Sequence, residues 1–215
     1  MKSFVSNKIN LILISIIITS TLLFLKIMDS VIEKGRITIL DESIAKYIVT
    51  ARTDALNNIM NFITQFGNAP IVVLVSIVII VGLYLYNKKR YALTFLIIAL
   101  ADAAFITIVK DIIARERPFI DYALFRERSF SFPSGHALFA ICFYGLGLYF
   151  FLKLIKNIYL KTILGITGYT FIILIGLSRV YLGVHWTSDV IASFAIGLSW
   201  VCITLLFYRV YQVKK

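Results

Sequence analysis

The chain has 215 residues, of which 60% are hydrophobic, and a formal net charge of +11. A mean hydropathy of +0.91 is typical of a membrane protein and excludes an ordinary soluble domain. A nucleic-acid-binding protein of this charge would need a soluble basic face with aromatic or helical readers, and none is evident in the sequence. We therefore expect an integral membrane protein that binds no nucleic acid.

Apolar segments recur along the whole chain. Crossing the hydrocarbon layer takes about 20 apolar residues in a helix. Because little chain remains outside these segments, we predict one all-α membrane domain over residues 1–215. The first segment lacks a small-x-small cleavage site, so we expect a retained helix rather than a cleaved signal peptide. The six predicted crossings are residues 9–25, 69–86, 91–109, 135–152, 161–177 and 190–207.

The charges of the connecting segments predict the orientation. With six crossings, the termini lie on the same side as the turns at 87–90 and 153–161. Basic residues accumulate in short loops on the cytoplasmic side, and these segments contain no acidic residue. We therefore predict that both termini are cytoplasmic. The basic residues are Lys2, Lys8, Lys88, Lys89, Arg90, Lys153, Lys156, Lys161, Arg209, Lys214 and Lys215.

Three longer loops, 26–68, 110–134 and 178–189, are then predicted to face outward, and they hold every acidic residue except Asp102. In the first of these loops, apolar residues recur at three- and four-residue spacing around 41–47 and 54–63. This spacing predicts short amphipathic helices that lie along the outer interface.

Asp102 is a charged residue in the middle of the predicted third crossing. An unpaired charge at that depth is costly. Asp102 either supports a functional site or lies on the path of a substrate, or it is a carboxylate that is paired or protonated inside the bundle. The sequence leaves both interpretations open.

The first polar cluster follows the third crossing and contains Lys110 and Arg117-Pro118. On a continuing helix, Lys110 and Arg117 would lie about two turns apart and near one face, with Pro118 ending the helix. Alone, the two cations are also typical of side chains that extend to the membrane interface.

The second cluster is Phe132-Pro133-Ser134-Gly135-His136, directly before the fourth crossing. Ser134 is a candidate N-cap, and Gly135 allows the backbone to approach a ligand closely. The free amides of a helix N-terminus form an anion site. A plain capped helix start explains the same residues, although a charged His136 there opposes the helix dipole unless an anion offsets it.

The third cluster is Ser178–Asp189, between the last two crossings. It contains Arg179, His185 and Asp189. Because His185 and Asp189 are four residues apart, the carboxylate can accept from one imidazole nitrogen and leave the lone pair of the other free. A structural His–Asp pair that stabilises a loop is the alternative.

The coincidence of the three clusters favours a functional site. The chain has two histidines, and both fall in these clusters on the same predicted side. Two imidazoles, three cations and a helix N-terminus suit a phosphoryl group, whose transition state spreads negative charge over its oxygens. Three cations would repel a divalent ion and no carboxylate cluster is present, so we predict no metal site. The cations are Lys110, Arg117 and Arg179.

These residues resemble the signature of the type 2 phosphatidic acid phosphatases, membrane lipid phosphate phosphatases that share a pocket with vanadium haloperoxidases. The resemblance spans residues 110–189 and departs from the signature at no position. Its components are Lys110 through Arg117-Pro118, then Pro133-Ser134-Gly135-His136, then Ser178-Arg179 with His185 and Asp189. The resemblance implies six helices and a site outside the cytoplasm.

The resemblance also implies the roles of the residues. His185 is the nucleophile that forms a phosphohistidine, Asp189 orients it, and His136 is the general acid and then the base that activates water. No cofactor is implied. The implied phosphate-binding residues are Lys110, Arg117, Ser134, Gly135 and Arg179.

The function that follows is metal-independent hydrolysis of a membrane lipid phosphate or diphosphate. The implied substrates are phosphatidylglycerophosphate, phosphatidate and undecaprenyl diphosphate. A lipid phosphotransferase with an acceptor other than water is one alternative. A transporter or flippase for an anionic lipid is another, although the sequence shows no internal repeat. The sequence predicts no particular oligomeric state.

Overall fold

The computed structural model describes residues 8–213, which are mainly helical and contain no strand. A short 3-10 turn, Ile120–Tyr122, lies between α5 and α6, and the centre of α6 is π-helical over Ala140–Tyr144. Lys2, Lys214 and Lys215, which contribute to the predicted orientation, lie outside the described residues. The helices are α1 (Lys8–Ile32), α2 (Arg36–Thr50), α3 (Asp54–Gln65), α4 (Ala69–Leu85), α5 (Lys89–Ile113), α6 (Gly135–Leu154), α7 (Ile158–Tyr181) and α8 (Thr187–Val213).

The helix lengths confirm an all-α membrane fold. By length and composition, α1, α5, α6, α7 and α8 can each cross a membrane. The 17-residue α4 reaches that length only together with α3, from which it is bent by 43°. The described chain therefore has five candidate spans, or six with this bent pair. Each predicted crossing falls on one of the observed helices.

The first and last spans pack side by side in opposite directions. Near the middle of the bundle, the buried hydroxyls of Ser20 and Ser199 lie 2.6 Å apart. Near one end, Arg209 Nε donates to Asn10 Oδ1 at 3.0 Å. The main apolar core lies where α1, α5, α6 and α8 meet, and Phe143 and Leu146 of α6 are buried in it. This core joins α5, α6 and α8, three of the helices whose ends carry the polar clusters.

The first outer loop folds into α2 and α3, as the apolar spacing predicts. The Thr53 hydroxyl accepts from the Leu56 N–H at the start of α3. Between the two helices, Arg52 donates to the backbone oxygens of Tyr181 and Tyr122, at 2.7 and 2.5 Å. Because Tyr181 ends α7 and Tyr122 belongs to the second outer loop, the three predicted outer loops meet at one end of the bundle.

The prediction that Lys110 and Arg117 share one continuing helix is wrong. α5 ends at Ile113, before Arg117, and Ala114 adopts a left-handed conformation with a φ of 46°. Its N–H bonds to the Lys110 oxygen at 2.8 Å. The chain leaves the helix axis at this residue, and the following Arg115 turns toward α2 and α8. Pro118 therefore lies in a loop and does not end α5.

Candidate active site

His185 lies in the turn between α7 and α8, with 3% of its surface exposed. Its Nδ1 is 3.4 Å from Asp189 Oδ2, and its Nε2 is 3.3 Å from Arg117 Nη1. An ionised carboxylate only accepts hydrogen bonds, and a guanidinium only donates them. His185 therefore carries its proton on Nδ1 and keeps a lone pair on Nε2, which is the form that a nucleophilic imidazole needs.

Asp189, in the first turn of α8, is fully buried and held from several sides. Oδ2 accepts from the Ser131 hydroxyl and, at 2.9 Å, from the Trp186 N–H. Oδ1 accepts from Arg115 Nη1 at 2.5 Å. Ser131 and Arg115 come from the second outer loop, so that loop fixes the carboxylate that faces His185.

The electrostatic surroundings keep His185 neutral. Burial is the largest cause that holds the pKa of His185 well below its ordinary value, and the charges of Arg117, Arg179 and Lys110 add to it. A lowered histidine pKa means that the imidazole stays unprotonated below about pH 6.5, where an exposed histidine gains a proton. The lone pair on Nε2 is therefore present at neutral pH.

This lowered pKa predicts the titration of His185. We expect its ring nitrogens to keep the chemical shifts of a neutral imidazole through the pH range centred on about 6.5 in which an exposed histidine titrates. The measurement is nitrogen NMR of protein labelled at its two histidines, with His185→Ala to assign the signals. The His185 signal is the one that His185→Ala lacks. If this signal titrates at about pH 6.5 in the wild-type protein, the prediction is contradicted.

Arg117 and Arg179 converge on Glu127. Arg117 Nη2 donates to Glu127 Oε2 at 2.9 Å, and Arg179 Nη2 donates to Oε1. Arg179 has 1% of its side chain exposed, and its Nη1 donates to Thr64 Oγ1 at 2.7 Å. Burial lowers the pKa of Arg117, but an arginine keeps its charge in proteins. Both guanidiniums are thus fixed near His185.

Lys110 reaches the same region from the last turn of α5. Its Nζ donates to the Phe130 oxygen and lies 3.4 Å from the Ser129 hydroxyl. Arg117 binds both of these groups as well. Three cations and one carboxylate leave a net positive charge in this cluster, which suits a dianionic phosphoryl group. The cations are Lys110, Arg117 and Arg179, and the carboxylate is Glu127.

His136 lies in the first turn of α6, within electrostatic range of His185 and of the three cations. Its Nε2 is 2.9 Å from Asn68 Oδ1. The Asn68 amide is itself oriented by a 2.5 Å bond from its Nδ2 to Gln65 Oε1. Since Asn68 presents an oxygen, His136 donates from Nε2 and leaves Nδ1 to a ligand.

Ser134 and Gly135 occupy the start of α6. Ser134 stands at the N-cap position, but its hydroxyl makes no capping bond. The Ser134 hydroxyl and Arg179 Nε are buried without a hydrogen-bond partner among residues 8–213, and buried polar groups are normally paired. Both donors therefore keep a hydrogen-bonding capacity that the described residues do not use. At Gly135 an added Cβ would meet only Ile106, at 3.5 Å, so packing does not demand a glycine.

Asp102 is buried in α5 beside the Cys142 thiol of α6. It precedes Lys110 by about two helical turns. The structure therefore places this carboxylate in the helix bundle, apart from the hydrogen bonds that join His185, Asp189 and Arg117.

Sequence reasoning missed several residues that contact the predicted ones directly or, for Asp41, through Arg115. Glu127 carried a weak signal, since it is an acidic residue between two arginines, nine positions before His136. Arg115 looks like one more interfacial cation, and Asp41 and Asn68 lie in a distant loop. No local pattern separates these residues from ordinary surface positions. They are Asp41, Thr64, Asn68, Arg115, Glu127 and Ser131.

Comparisons with known proteins show the family of this chain. The sequence profile of the PAP2 superfamily matches residues 90–212, which include all three polar clusters. Phosphatidylglycerophosphatase B of Bacillus subtilis (strain 168) is 36% identical over 194 residues, which cover 89% of this chain and 91% of that protein.

Solved structures are similar to this chain in fold. The crystal structure of the first transmembrane PAP2 type phosphatidylglycerolphosphate phosphatase from Bacillus subtilis superimposes with a TM-score of 0.81 at 33% identity, covering 90% of this chain and 96% of that chain. Aquifex aeolicus LpxE, at 22% identity and a TM-score of 0.57, shares the fold over 76% of this chain and 93% of its own. The resemblance inferred from the motifs is confirmed: the chain belongs to the PAP2 superfamily and is a multi-pass membrane phosphatase.

Proposed function

We propose that this phosphatase hydrolyses the phosphate headgroup of a membrane lipid through a phosphohistidine on His185. The observation that carries the proposal is a buried, neutral imidazole whose proton is fixed on Nδ1 by Asp189 and whose Nε2 faces a cluster of three cations. A nucleophile with an unprotonated ring nitrogen beside fixed positive charge is what in-line attack on a phosphoryl group requires.

In the first step, Nε2 of His185 forms a bond to phosphorus, and the bond from phosphorus to the lipid oxygen breaks. His136, which holds a second proton on Nδ1 once the phosphate anion is bound, gives that proton to the lipid oxygen and keeps the Nε2 proton that it donates to Asn68 Oδ1. Asp189 stabilises the positive charge that develops on the His185 ring. In the second step, His136 takes a proton from water, which attacks phosphorus, breaks the bond to Nε2 and releases inorganic phosphate.

The phosphate oxygens bind to the side chains of Lys110, Arg117, Arg179 and Ser134 and to the Gly135 amide. Support comes from the unpartnered donors of Ser134 and Arg179 among the described residues and from the free amides of the first turn of α6. Glu127 holds Arg117 and Arg179 together in this structure. The substrate phosphate takes over those two bonds.

The substrate class is proposed from the position of the site and from the relatives. The site lies at the end of the bundle covered by α2 and α3, where the headgroup of a bilayer lipid would meet it. Phosphatidylglycerophosphate is the first candidate because the 36% identical relative is a phosphatidylglycerophosphatase. Phosphatidate and undecaprenyl diphosphate are the others.

An assay panel tests this function. Purified protein in detergent micelles is given each of the three lipids with excess chelator, and inorganic phosphate is measured. We expect phosphate release without added metal. Strict dependence on magnesium would contradict the metal-independent mechanism. Transfer of the phosphoryl group to an alcohol without release would indicate a phosphotransferase, and lipid movement across vesicles without hydrolysis would indicate a transporter.

The same proposal places the site outside the cytoplasm, since the basic turns lie at the opposite end of the chain's crossings. Labelling of single cysteines tests the orientation, because Cys142 and Cys202 are both buried. The exposed Tyr86 and Phe119 mark the inner turn and the outer loop. In intact cells, a membrane-impermeant thiol reagent should label Phe119→Cys and spare Tyr86→Cys, and the reverse pattern would contradict the orientation.

The packing of Gly67 against the general acid gives a further prediction. A Cβ at Gly67 would lie 2.3 Å from Cδ2 of His136. In Gly67→Ala the ring must move, because it is the mobile partner, and we expect kcat to fall about 100-fold with the protein still folded. Gly82→Ala is the control, since nothing lies within 4 Å of its added Cβ. Equal kcat values for the two variants would contradict the placement of His136.

A further inference from the structure

Arg115 joins two carboxylates from distant regions of the chain. Its Nη1 donates to Asp189 Oδ1 at 2.5 Å, and its Nη2 donates to Asp41 Oδ2 at 2.8 Å. Asp189 belongs to α8, Asp41 to α2 of the first outer loop, and Arg115 to the second outer loop. The guanidinium therefore connects the acid that orients His185 to a helix outside the sequence signature.

All three side chains of this group are shielded from water. The exposed fractions of the side chains are 9% for Arg115, 2% for Asp41 and 0% for Asp189. Removal of one partner from a buried ion pair leaves the other charge uncompensated, which is strongly unfavourable. The planar fork of an arginine can bind two carboxylates at once, whereas a lysine presents a single ammonium. The site thus requires an arginine, not simply a positive charge.

Asp41 also holds the start of α8 directly. Its Oδ1 accepts from the Ser188 N–H at 2.9 Å, and its Oδ2 accepts from the Ser188 hydroxyl. Ser188 directly precedes Asp189, and its hydroxyl also accepts from Arg115 Nη1 at 2.8 Å. Asp41 therefore acts on Asp189 by two routes, through Arg115 and through the backbone of the first turn.

The contacts of this group differ from those of the phosphate-binding cations. The Arg115 guanidinium packs over the Trp186 ring at 5.5 Å and bonds to Asp41, Ser188 and Asp189. None of these side chains is among the proposed ligands of the phosphate oxygens. A change at Arg115 should therefore alter the chemical step and leave phosphate binding intact.

We propose that Arg115 and Asp41 are positioning residues of the reaction, and that they fix the Asp189 carboxylate against Nδ1 of His185. The first outer loop thereby belongs to the catalytic assembly. This inference rests on the proposed function, in which His185 is the nucleophile. Neither residue contacts the substrate; both act through Asp189.

Two conservative variants test the proposal, each with a matched control. Arg115→Lys keeps the charge but not the fork, and Asp41→Asn keeps the shape but not the charge. The controls are Arg128→Lys, an exposed arginine of the same loop, and Glu42→Gln, the neighbour of Asp41, which pairs with Lys46 on the surface. For all four variants, kcat, KM and the inhibition constant of inorganic phosphate are measured in micelles.

We expect kcat to fall about 10- to 100-fold in Arg115→Lys and in Asp41→Asn, because a small displacement of a catalytic group has effects of this size. KM and the phosphate inhibition constant should change less than about threefold. Because Asp41 acts through the same carboxylate, the double variant should lose much less than the product of the two single losses. The two controls should match the wild type.

A readout on His185 separates positioning from general stability. The Nδ1 proton of His185, assigned with His185→Ala, should shift in both test variants, and the controls should keep its position. Asp41→Asn is isosteric, so it provides the test even if Arg115→Lys does not fold. Wild-type kcat with an unchanged proton signal in a folded Asp41→Asn protein would overturn the proposal, as would a loss confined to KM.

The proposal and the proposed function fail in different ways. If His185→Ala still releases phosphate, the function assigned to His185 is wrong, and the role of Asp189 falls with it. If His185→Ala is inactive while Arg115→Lys and Asp41→Asn behave like their controls, only the inference about Arg115 and Asp41 is wrong.

Discussion

His185→Ala should abolish turnover, with a loss of kcat of at least about 10⁴-fold. The variant lacks the imidazole whose Nδ1 faces the Asp189 carboxylate and whose Nε2 keeps the lone pair for attack. The measurement is phosphate release from a lipid phosphate, together with an alkaline quench to detect the acid-labile phosphohistidine. Wild-type protein should trap this intermediate, and the variant should not.

The loss of kcat can be attributed to the chemical step when His185→Ala still folds and still binds phosphate. The cation cluster does not include His185, so inorganic phosphate should raise the unfolding temperature of His185→Ala as it does that of the wild type. Residual hydrolysis above about 1% in a folded variant would assign the nucleophile to another residue. A variant that elutes as an aggregate would be replaced by His185→Gln, which keeps most of the side-chain volume.

Asp189→Asn extends this prediction and should be severe but less complete. The amide offers an N–H donor as well as an oxygen, so it no longer requires the His185 proton to lie on Nδ1. We expect kcat to fall between about 10²- and 10⁴-fold. A variant with wild-type kcat would show that the 3.4 Å contact between His185 and Asp189 is structural.

The features of this protein that could be predicted from its sequence are those fixed by local chemistry. The crossings can be predicted from the length of the apolar segments, because a single segment in a bilayer pairs all its backbone N–H and C=O groups internally when it is a helix. The contact between His185 and Asp189 follows from a spacing of four residues. The sequence also predicts that the three clusters lie at the same end of the bundle. Successive crossings run in opposite directions, so the end of the third or fifth crossing lies on the same side as the start of the next one.

The contacts between loops could not be predicted, because they depend on tertiary packing. Asp41 lies 147 residues from Ser188, which it binds, and its helix reads as an ordinary amphipathic segment with acidic residues toward water. The predicted end of α5 at Pro118 was wrong for a related reason. Arg115 is drawn off the helix axis toward two distant carboxylates, and helix propensity contains no information about those partners.

Gly183→Ala should cost both stability and activity. Gly183 has a φ of 72°, which an alanine adopts only with a strain of about 1–2 kcal/mol. Its added Cβ would lie 1.8 Å from the Tyr122 oxygen and 2.9 Å from the Ala123 Cα. These atoms belong to the backbone, so no side-chain rotation can relieve the collision.

The collision would push the second outer loop away from the turn before His185. The candidate site requires this loop and this turn to lie close together. The Leu124 N–H donates to the Leu182 oxygen at 2.9 Å, and His185 follows Gly183 by two residues. We expect a lower unfolding temperature and a fall in kcat of at least about 100-fold as His185 shifts.

Gly147→Ala, within α6, is the matched control because nothing lies within 4 Å of its added Cβ. That variant should keep wild-type activity, since alanine is favoured over glycine in a helix. If Gly183→Ala matched Gly147→Ala in both unfolding temperature and kcat, the close approach of the second outer loop to this turn would be wrong.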